Sequence, residues 1–251
     1  MIYNDRKRRP VAMLFTVLLC ISACATNNEI EGKPVRAESD PWEPMNRGIY
    51  GFNHAVDRVT LKLVARGYRK VVPQFARRGV TNFSENLFTP RSALNNFLQG
   101  KGKAGFSDIG RFIFNTTIGI GGLFDVASAA GIEEYGEDFS QTLAVWGLPE
   151  GPFVFIPFLG PHTLLDAIAL PVDLLSDPLA YYNDTSVRDR VYVLRVIDLR
   201  ARLLTAETLV EDSQDPYITL RESYLQNRLY EVHDGSPPED DDFYDEFLDE
   251  E

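Results

Sequence analysis

Residues 187–204 read Val-Arg-Asp-Arg-Val-Tyr-Val-Leu-Arg-Val-Ile-Asp-Leu-Arg-Ala-Arg-Leu-Leu, and this stretch decides the fold class. Apolar side chains recur every three or four residues, which is the period of an α-helix with one apolar face. The apolar positions are Val187, Val191, Leu194, Ile197, Ala201 and Leu204. The pattern predicts one long helix over residues 187–210, and it makes a mainly α fold the expectation.

Helical patterns of the same kind lie on both sides of this stretch. Their boundaries follow the usual rules, in which Asp, Thr or Pro begins a helix and Gly or Pro ends it. Thr89-Pro90 predicts the start of a helix that ends at Gly100, and Pro171 predicts the end of the helix that Thr163 begins. The other predicted helices begin at Pro44, Lys103, Asp138 and Asp215-Pro216.

Two stretches interrupt the helical pattern with glycine and proline. Residues 116–124 mix large apolar side chains with Gly119, Gly121 and Gly122, and residues 147–161 read Gly-Leu-Pro-Glu-Gly-Pro-Phe-Val-Phe-Ile-Pro-Phe-Leu-Gly-Pro. Because Gly and Pro inside a helix cost ~1 and ~3 kcal/mol, the second stretch is expected to form a hairpin or an extended loop. Its aromatic side chains leave two alternatives open, since they either fill the core or face a membrane or a ligand.

The first twenty-three residues have the layout of a cleavable secretory leader. A basic cluster precedes an apolar run from Val11 to Ile21, and this run is about half the ~20 residues that a membrane-spanning helix needs. The run ends in Ile21-Ser-Ala-Cys24, the pattern at which bacterial lipoproteins are processed. Residues 1–23 are therefore predicted to be a signal peptide, and Cys24 to be the lipidated first residue of a flexible tether over residues 24–39.

Charge divides the rest of the chain into a body and an acidic tail. The formal net charge is −12, and residues 239–251 alone hold nine carboxylates and no basic residue. Such a segment has little apolar surface to bury, so a helical domain of residues 40–233 is expected to precede an acidic disordered tail of residues 234–251. The chain lacks the basic excess that nucleic-acid binding requires, and no nucleic-acid partner is expected.

The sequence contains none of the common catalytic signatures. Residues 105–110 have one residue too many for a GxSxG nucleophile elbow, and residues 119–124 lack the third glycine of a dinucleotide-binding loop. The three histidines lie far apart and none has zinc-ligand spacing, while an ion pair on one helix surface is the favoured interpretation of His54 and Asp57. We therefore expect no enzyme activity, no catalytic residue, no metal and no cofactor.

A series of short motifs follows one order along the body. They are Asp40-Pro-Trp-Glu-Pro-Met-Asn-Arg47, Tyr50-Gly-Phe-Asn53, Val72-Pro-Gln74, Asn82-Phe-Ser-Glu-Asn-Leu87, Asn96-Phe-Leu-Gln-Gly100, Arg111-Phe112, Asn115-Thr116, Gly119-Ile-Gly-Gly-Leu-Phe-Asp-Val-Ala127, Gly151-Pro-Phe153, Pro157-Phe158 and Ser213-Gln-Asp-Pro-Tyr-Ile218. In these motifs the sequence resembles the MlaA (VacJ) family of outer-membrane phospholipid-transport lipoproteins. The chain differs from the family pattern in its unusually acidic C-terminus.

The resemblance implies a single ring-like helical domain with an amphipathic central channel, lipid-anchored in the cell outer membrane and embedded from the periplasmic face. Such a protein removes mislocalised phospholipids from the outer leaflet and passes them to a soluble periplasmic lipid-carrier protein, which maintains lipid asymmetry. Family members also associate with a trimeric outer-membrane porin. The alternative is a porin-associated structural or adaptor lipoprotein without a lipid conduit of its own.

Two groups of residues are candidates for the channel under this resemblance. Phe52 and Asn53 are hypothesised to lie in the channel wall, on the first predicted helix. A Gly/Pro-rich aromatic hairpin over residues 147–158 is expected to border the channel and to gate it, with glycines as hinges and prolines stiffening the arms. Its candidate residues are Gly147, Gly151, Pro152, Phe153, Phe155, Pro157 and Phe158.

Overall fold

The computed structural model describes residues 40–237, and within that range the mainly α prediction is confirmed. The elements in chain order are α1 Glu43–Val59, α2 Leu61–Val71, α3 Gln74–Leu98, α4 Gly102–Thr117, α5 Val126–Ala129, α6 Phe139–Val145, β1 Phe153–Ile156, β2 Gly160–Thr163, α7 Leu164–Leu175, a 3-10 helix Pro178–Tyr181, α8 Thr185–Glu211 and α9 Pro216–Val232. The predicted signal peptide, Cys24, the tether and the tail beyond residue 237 lie outside the described residues.

Three of the helix starts that the sequence predicted at polar residues are capped as expected. The Asp138 carboxylate accepts a hydrogen bond from the backbone N–H of Gln141 at the start of α6, and Asp215 caps α9 in the same way. Thr163 and Asp166 form a reciprocal capping box at the start of α7. The first turn of a helix leaves backbone N–H groups without partners, so each cap stabilises its helix by ~1 kcal/mol.

The two helix boundaries that were predicted at prolines are wrong. Helix α3 continues through Pro90, and α7 continues through Pro171 to Leu175. A proline inside a helix removes one backbone hydrogen bond and crowds the preceding turn. Tertiary packing compensates for this cost, because α3 lies along α4 and α8, and α7 lies along α6. The Thr89 hydroxyl also donates to the carbonyl oxygen of Glu85, 3.1 Å away, in the turn before Pro90.

Buried side chains in residues 40–237 are more often polar than apolar. Twenty-one polar or charged residues are buried there against thirteen hydrophobic ones, and six of the thirteen are alanine. Thirty-nine large hydrophobic side chains are exposed in the same range. Large apolar side chains in this range are far more often exposed than buried, and this distribution favours a surface that meets lipid or another protein.

The apolar core of the described residues consists of small clusters where neighbouring elements meet. Ala65 of α2 packs against Ala201 and Leu204 of α8. A second cluster joins α6 to α7, and a third joins the β1–β2 hairpin to α9 and α1. Between residues 40 and 237, none of the helices has both the length and the hydropathy that a transmembrane span requires.

Candidate functional site

The buried side chain of Asn46 binds the edge of β1 that β2 leaves free. Its Nδ2 donates to the carbonyl oxygen of Phe153 at 3.1 Å, and its Oδ1 accepts from the backbone N–H of Phe155 at 2.9 Å. An asparagine amide carries one acceptor and two donors, so it can pair with a strand edge as a neighbouring strand would. Helix α1 therefore takes the place of a third strand beside the hairpin.

The same contact repeats two helical turns later, at Asn53. Its Nδ2 donates to the carbonyl oxygen of Ile156 at 2.9 Å, and its Oδ1 accepts from the backbone N–H of Phe158 at 2.9 Å. Residues seven apart lie on the same face of a helix, which is why both amides reach the same side of the hairpin. Asn53 was predicted to lie in a channel wall, and the structure places it against the hairpin that was predicted to border that channel.

The structure separates the hairpin aromatics into a buried base and an exposed tip. Phe153 and Phe155 are buried in the cluster that Tyr217 completes. Phe158 at the tip is 73% exposed, and its ring packs edge-on against Phe52 of α1, with 5.4 Å between ring centroids. The two alternatives left open by the sequence thus apply to different residues: Phe153 and Phe155 fill the core, whereas Phe158 faces outward.

The predicted start of the hairpin at residue 147 is wrong. Gly147 follows α6, where its φ of +93° ends the helix, and the paired strands begin only at Phe153. Gly151 (φ +71°) is close to α7, because an added Cβ would lie 3.2 Å from the Leu164 side chain. The carbonyl of Pro152 accepts the N–H of Leu164, so this end of the hairpin is bonded to α7 and is not a free hinge.

The tip of the hairpin is the turn between Ile156 and Gly160, which contains Pro157 and Phe158. Phe158 has a φ of +65°, a left-handed conformation that costs a non-glycine residue of order 1–3 kcal/mol. The hydrogen bond that Asn53 accepts from its N–H stabilises this conformation. Strain and exposure therefore coincide at the tip.

The glycine-rich segment packs against α3 and α4. At Gly119 an added Cβ would lie 2.2 Å from the carbonyl oxygen of Phe124, and at Gly122 (φ +90°) it would lie 2.7 Å from the Asn86 side chain. Gly121 also has a positive φ, of +69°. These glycines are required by a tight turn after α4, and the contacts described for them are structural.

The first and last sequence motifs meet in space although about 170 residues separate them. Arg47 binds both carboxylate oxygens of Asp215, at 3.1 and 2.7 Å. The Asp40 carboxylate accepts hydrogen bonds from the Tyr217 hydroxyl and from Arg221. Periodicity and capping carry no information about such distant pairs, so sequence reasoning assigned these residues no contact.

Comparison with known proteins identifies the family of this chain. The family described as MlaA lipoprotein matches residues 38–231. The chain belongs to the MlaA lipoprotein family. The intermembrane phospholipid transport system lipoproteins MlaA of Shigella flexneri and of Escherichia coli K12 are each 34% identical over 233 residues, covering 91% of this chain and 90% of theirs. The one of Haemophilus influenzae is 30% identical over 243 residues, with 91% and 92% coverage.

A solved structure supports the MlaA fold as well as the family. It is described as the structural basis for maintenance of bacterial outer membrane lipid asymmetry, and this chain matches it with a TM-score of 0.69 and 37% identity. The match covers 77% of this chain and 99% of that one. The resemblance inferred from the short motifs is therefore confirmed. The MlaA relatives are named as lipoproteins of a transport system, which agrees with the expectation of a protein that is not an enzyme.

Buried ion pairs connect the helices of this MlaA-family fold. Arg228 of α9, which is 5% exposed, contacts Asp138 at 2.8 Å and Asp166 at 2.9 Å. The Arg228 guanidinium holds the pKa of Asp138 below its usual range, although burial opposes this shift. Asp57 pairs with Arg200 at 2.7 Å, so the ion pair predicted between His54 and Asp57 is wrong. The reason is tertiary, since α8 brings a guanidinium to the carboxylate.

His54 instead faces two glutamates of α8. The ligand-capable atoms of His54, Glu207 and Glu211 lie within 4.8 Å of one another, and they form the one such group found in residues 40–237. Lys62 already contacts both carboxylates, at 3.1 Å from Glu207 and 2.7 Å from Glu211. A lysine ammonium in this position neutralises the carboxylates that a metal ion would need. The sequence expectation of no metal stays a prediction.

A cleft of about 380 Å³ opens between α2 and α8 beside this group. Arg66, Arg69 and Lys70 of α2 line one side of it, and Thr208 lines the other. Leu63 and Val71 on the adjacent face of α2 are 66% and 79% exposed. Helix α2 therefore presents a basic face next to an apolar face, which is typical of helices at a membrane interface.

Proposed function

We propose that this protein is an outer-membrane lipoprotein that removes mislocalised phospholipids from the outer leaflet and passes them toward the periplasm, so that lipid asymmetry is maintained. The observation that carries the proposal is the distribution of polarity in residues 40–237, where polar side chains are buried and large apolar side chains are exposed. The names of the relatives and the description of the similar structure support the same function.

This distribution suits the two halves of a phospholipid. A headgroup cannot enter hydrocarbon without losing hydrogen bonds, and an unpaired buried charge costs several kcal/mol or more. Buried polar side chains offer a headgroup replacement hydrogen bonds, while exposed apolar side chains can lie against acyl tails. A channel through a ring-like domain is the arrangement in which both surfaces act on one lipid, and it forms part of this proposal.

The proposed location is the periplasmic side of the outer membrane. Acylation of Cys24 would anchor the chain, since each buried CH₂ of a lipid chain contributes ~0.8 kcal/mol of membrane affinity. The exposed apolar surface would let the body lie in the inner leaflet. The proposed partners are phospholipids, an outer-membrane trimeric porin and a soluble periplasmic lipid-carrier protein.

Within this proposal, the hairpin tip borders the lipid path and gates it. Phe158 and Phe52 form an exposed aromatic pair, and Asn53 joins the tip to α1. The buried base at Phe153 and Phe155 would hold the hairpin in place while the tip moves. The gate is therefore proposed for residues 157–159, a shorter segment than the sequence suggested.

A transfer assay tests the proposed function. The acylated full-length protein would be reconstituted in vesicles that contain a fluorescent phospholipid, with the soluble carrier outside as acceptor. We expect the protein to accelerate transfer to the carrier above the rate in vesicles that carry an unrelated lipoprotein. An adaptor without a conduit would bind porin and leave the rate at the control level, and a lipid-modifying enzyme would release fatty acid or headgroup.

A further inference from the structure

A pocket of about 190 Å³ lies between α3, α4 and the loop over residues 134–137. It is remote from the hairpin in sequence, and it plays no part in the gate proposed above. The residues that line it are mostly charged, and its carboxylates are Glu85, Asp108, Glu134 and Glu137. Arg91 is the one basic side chain in the lining.

Three of the four carboxylates contact basic side chains around the pocket, and each of these bases also contacts a second carboxylate outside it. The ion pairs of the three lining carboxylates are Glu85 with Arg202 at 3.1 Å, Glu134 with Arg111 at 3.3 Å, and Glu137 with Lys101 at 3.1 Å. Asp108 is the exception, because it has no ion-pair partner within residues 40–237 although it is only 1% exposed. Asp108 is thus the one lining carboxylate that has no ion-pair contact among the described residues.

Hydrogen bonds occupy only one oxygen of this carboxylate. Asp108 Oδ2 accepts from the Ser92 hydroxyl at 2.6 Å and from the Asn96 amide at 2.9 Å. Asp108 Oδ1 is buried and has no hydrogen-bond partner among the described residues. Burial raises the pKa of Asp108, and a cationic donor in the pocket would offset the cost of burying the ionised carboxylate.

Arg91 offers the complementary charge in the same pocket. Its guanidinium lies over the Phe88 ring, 4.8 Å from the centroid. Its Nε is buried without a hydrogen bond among the described residues, and the nearest carboxylate oxygen, on Asp173, is 3.7 Å away. The pocket therefore combines one carboxylate oxygen, Asp108 Oδ1, and one guanidinium N–H, at Arg91 Nε, that lack a hydrogen-bond partner among the described residues, while Arg91 keeps an ion-pair contact with Asp173.

We infer that this pocket binds the zwitterionic headgroup of an ethanolamine phospholipid, with its ammonium on Asp108 and its phosphate on Arg91. A primary ammonium has three N–H donors for a carboxylate, and a guanidinium matches the oxygens of a phosphate. A metal ion is less suited to this pocket, because the one group with metal-ligand spacing in residues 40–237 lies elsewhere, at His54. The pocket volume of about 190 Å³ is several times the ~30 Å³ of a water molecule, which leaves room for a headgroup.

The inference rests on the proposed function, because the headgroup belongs to the lipid that is transported. It adds headgroup selectivity, which transport by itself does not require. An anionic headgroup such as phosphatidylglycerol would bring no cation to Asp108. A choline headgroup has the right charge, but its methylated nitrogen has no N–H to donate.

Binding of soluble lipids to the full-length protein in neutral detergent tests the inference by calorimetry. We expect dihexanoyl-phosphatidylethanolamine to bind at least about tenfold more tightly than the phosphatidylcholine and phosphatidylglycerol analogues, since a charged hydrogen bond is lost with either. Binding of free phosphoethanolamine is measured as well, because it shows whether the headgroup alone is sufficient for binding or the acyl chains are also needed. These comparisons use the unmodified protein, so they do not depend on whether a variant folds.

Two substitutions then assign the roles. Asp108→Asn should abolish the preference for ethanolamine, and Arg91→Gln should weaken binding of all three lipids. The controls are Asp189→Asn and Arg190→Gln, at the exposed start of α8, which should leave binding unchanged. Equal binding of the three lipids by the unmodified protein, binding of inorganic phosphate as tight as phosphoethanolamine, or an unchanged preference in Asp108→Asn would overturn the inference. Lipid transfer without headgroup preference would overturn it and leave the proposed function intact.

Discussion

Asn46 is fully buried, and its amide group binds two backbone groups of β1 that have no other partner in the sheet. Asn46 therefore joins helix α1 to the hairpin beside the apolar cluster around Tyr217, and Asn53 makes the second such contact. Sequence periodicity treats an asparagine on a helix as a solvent-facing residue. In this fold the Asn46 side chain instead forms hydrogen bonds with β1 as the edge of a neighbouring strand would.

Replacing Asn46 by leucine should strongly destabilise the fold. The substitution keeps the side-chain volume but leaves the carbonyl of Phe153 and the N–H of Phe155 unpaired, at ~1–3 kcal/mol each. We expect Asn46→Leu to lower the free energy of unfolding by roughly 2–5 kcal/mol in urea titrations followed by circular dichroism. The exposed Asn183→Leu should change it by less than about 0.5 kcal/mol. Equal midpoints for the two variants would show that the Asn46 contacts are dispensable.

Asp173 of α7 predicts a pH dependence of stability. Burial raises its pKa to about 6, whereas an aspartate in an unfolded chain has a pKa of about 4. Between these values the folded protein binds a proton that the unfolded chain has released, so the contribution of Asp173 to stability falls as the pH rises from about 4 to about 6.

Asp173→Asn should remove this loss. The free energy of unfolding of both proteins would be measured in urea at pH 4 and at pH 7. We expect the value for the variant, minus that for the unmodified protein, to be roughly 1–3 kcal/mol higher at pH 7 than at pH 4. The exposed Asp189→Asn provides the control, with no such change. A difference from the unmodified protein that stays constant across this range would mean that Asp173 does not retain its proton.

At the scale of elements, α1 and the hairpin form one unit with a fixed base and an exposed tip. The base is buried with Phe153 and Phe155 and bonded to Asn46. The tip carries Phe158, whose backbone is in a left-handed conformation and whose ring contacts Phe52. Any movement of the hairpin without loss of its core should therefore be confined to the tip.

Linking the tip to α1 tests the proposed gate. In the Phe52→Cys/Phe158→Cys variant, a short cleavable thiol crosslinker would join two side chains that are in contact in the native fold. If the tip must move for lipid to pass, crosslinking should abolish transfer to the carrier, preserve the circular dichroism spectrum, and be reversed by reduction.

The control joins α2 to α8 at Arg69→Cys/Thr205→Cys with a crosslinker long enough to replace the arginine side chain, whose Nη1 lies 3.4 Å from the Thr205 hydroxyl in the native fold. This link lies away from the hairpin and should leave transfer unchanged. Normal transfer by the linked hairpin variant would mean that the tip is a packing element. Loss of transfer in both variants would mean that the treatment itself is harmful.

At the scale of the whole molecule, the exposed apolar surface is the feature with the clearest physical consequence. Burial in hydrocarbon contributes ~25 cal/mol per Å² of apolar area, so side chains such as Phe75, which is 79% exposed, favour contact with lipid. Polar groups that remain in the interior are held by ion pairs such as Arg228 with Asp138. The described body thus has polar contacts in its interior and apolar side chains on its surface.

Site-specific quenching measures this arrangement directly. A bimane fluorophore on Phe75→Cys in proteoliposomes should be quenched by lipids that carry bromine on their acyl chains. The same fluorophore on Arg190→Cys, an exposed polar site of α8, should be quenched much less. Equal and weak quenching at both sites would mean that this surface does not meet acyl chains, and the proposed insertion into the leaflet would then be wrong.

The sequence by itself determined the helical fold, most helix starts and the family. Caps such as Asp138 and Asp215 involve residues within four positions of each other, and the apolar period of α8 repeats within one element. The order of the short motifs was sufficient for the family resemblance. The hairpin was predicted as well, although its start was placed six residues early.

Only the tertiary structure decided which of these residues act together. It kept α3 helical through Pro90, it buried Phe153 but exposed Phe158, and it paired Asn53 with a strand about one hundred residues away. Among the described residues, it also left Asp108 without a cationic partner in a pocket. The physical reason is that helix periods and caps depend on neighbours along the chain, whereas burial, strand edges and charge compensation depend on which distant elements pack against each residue.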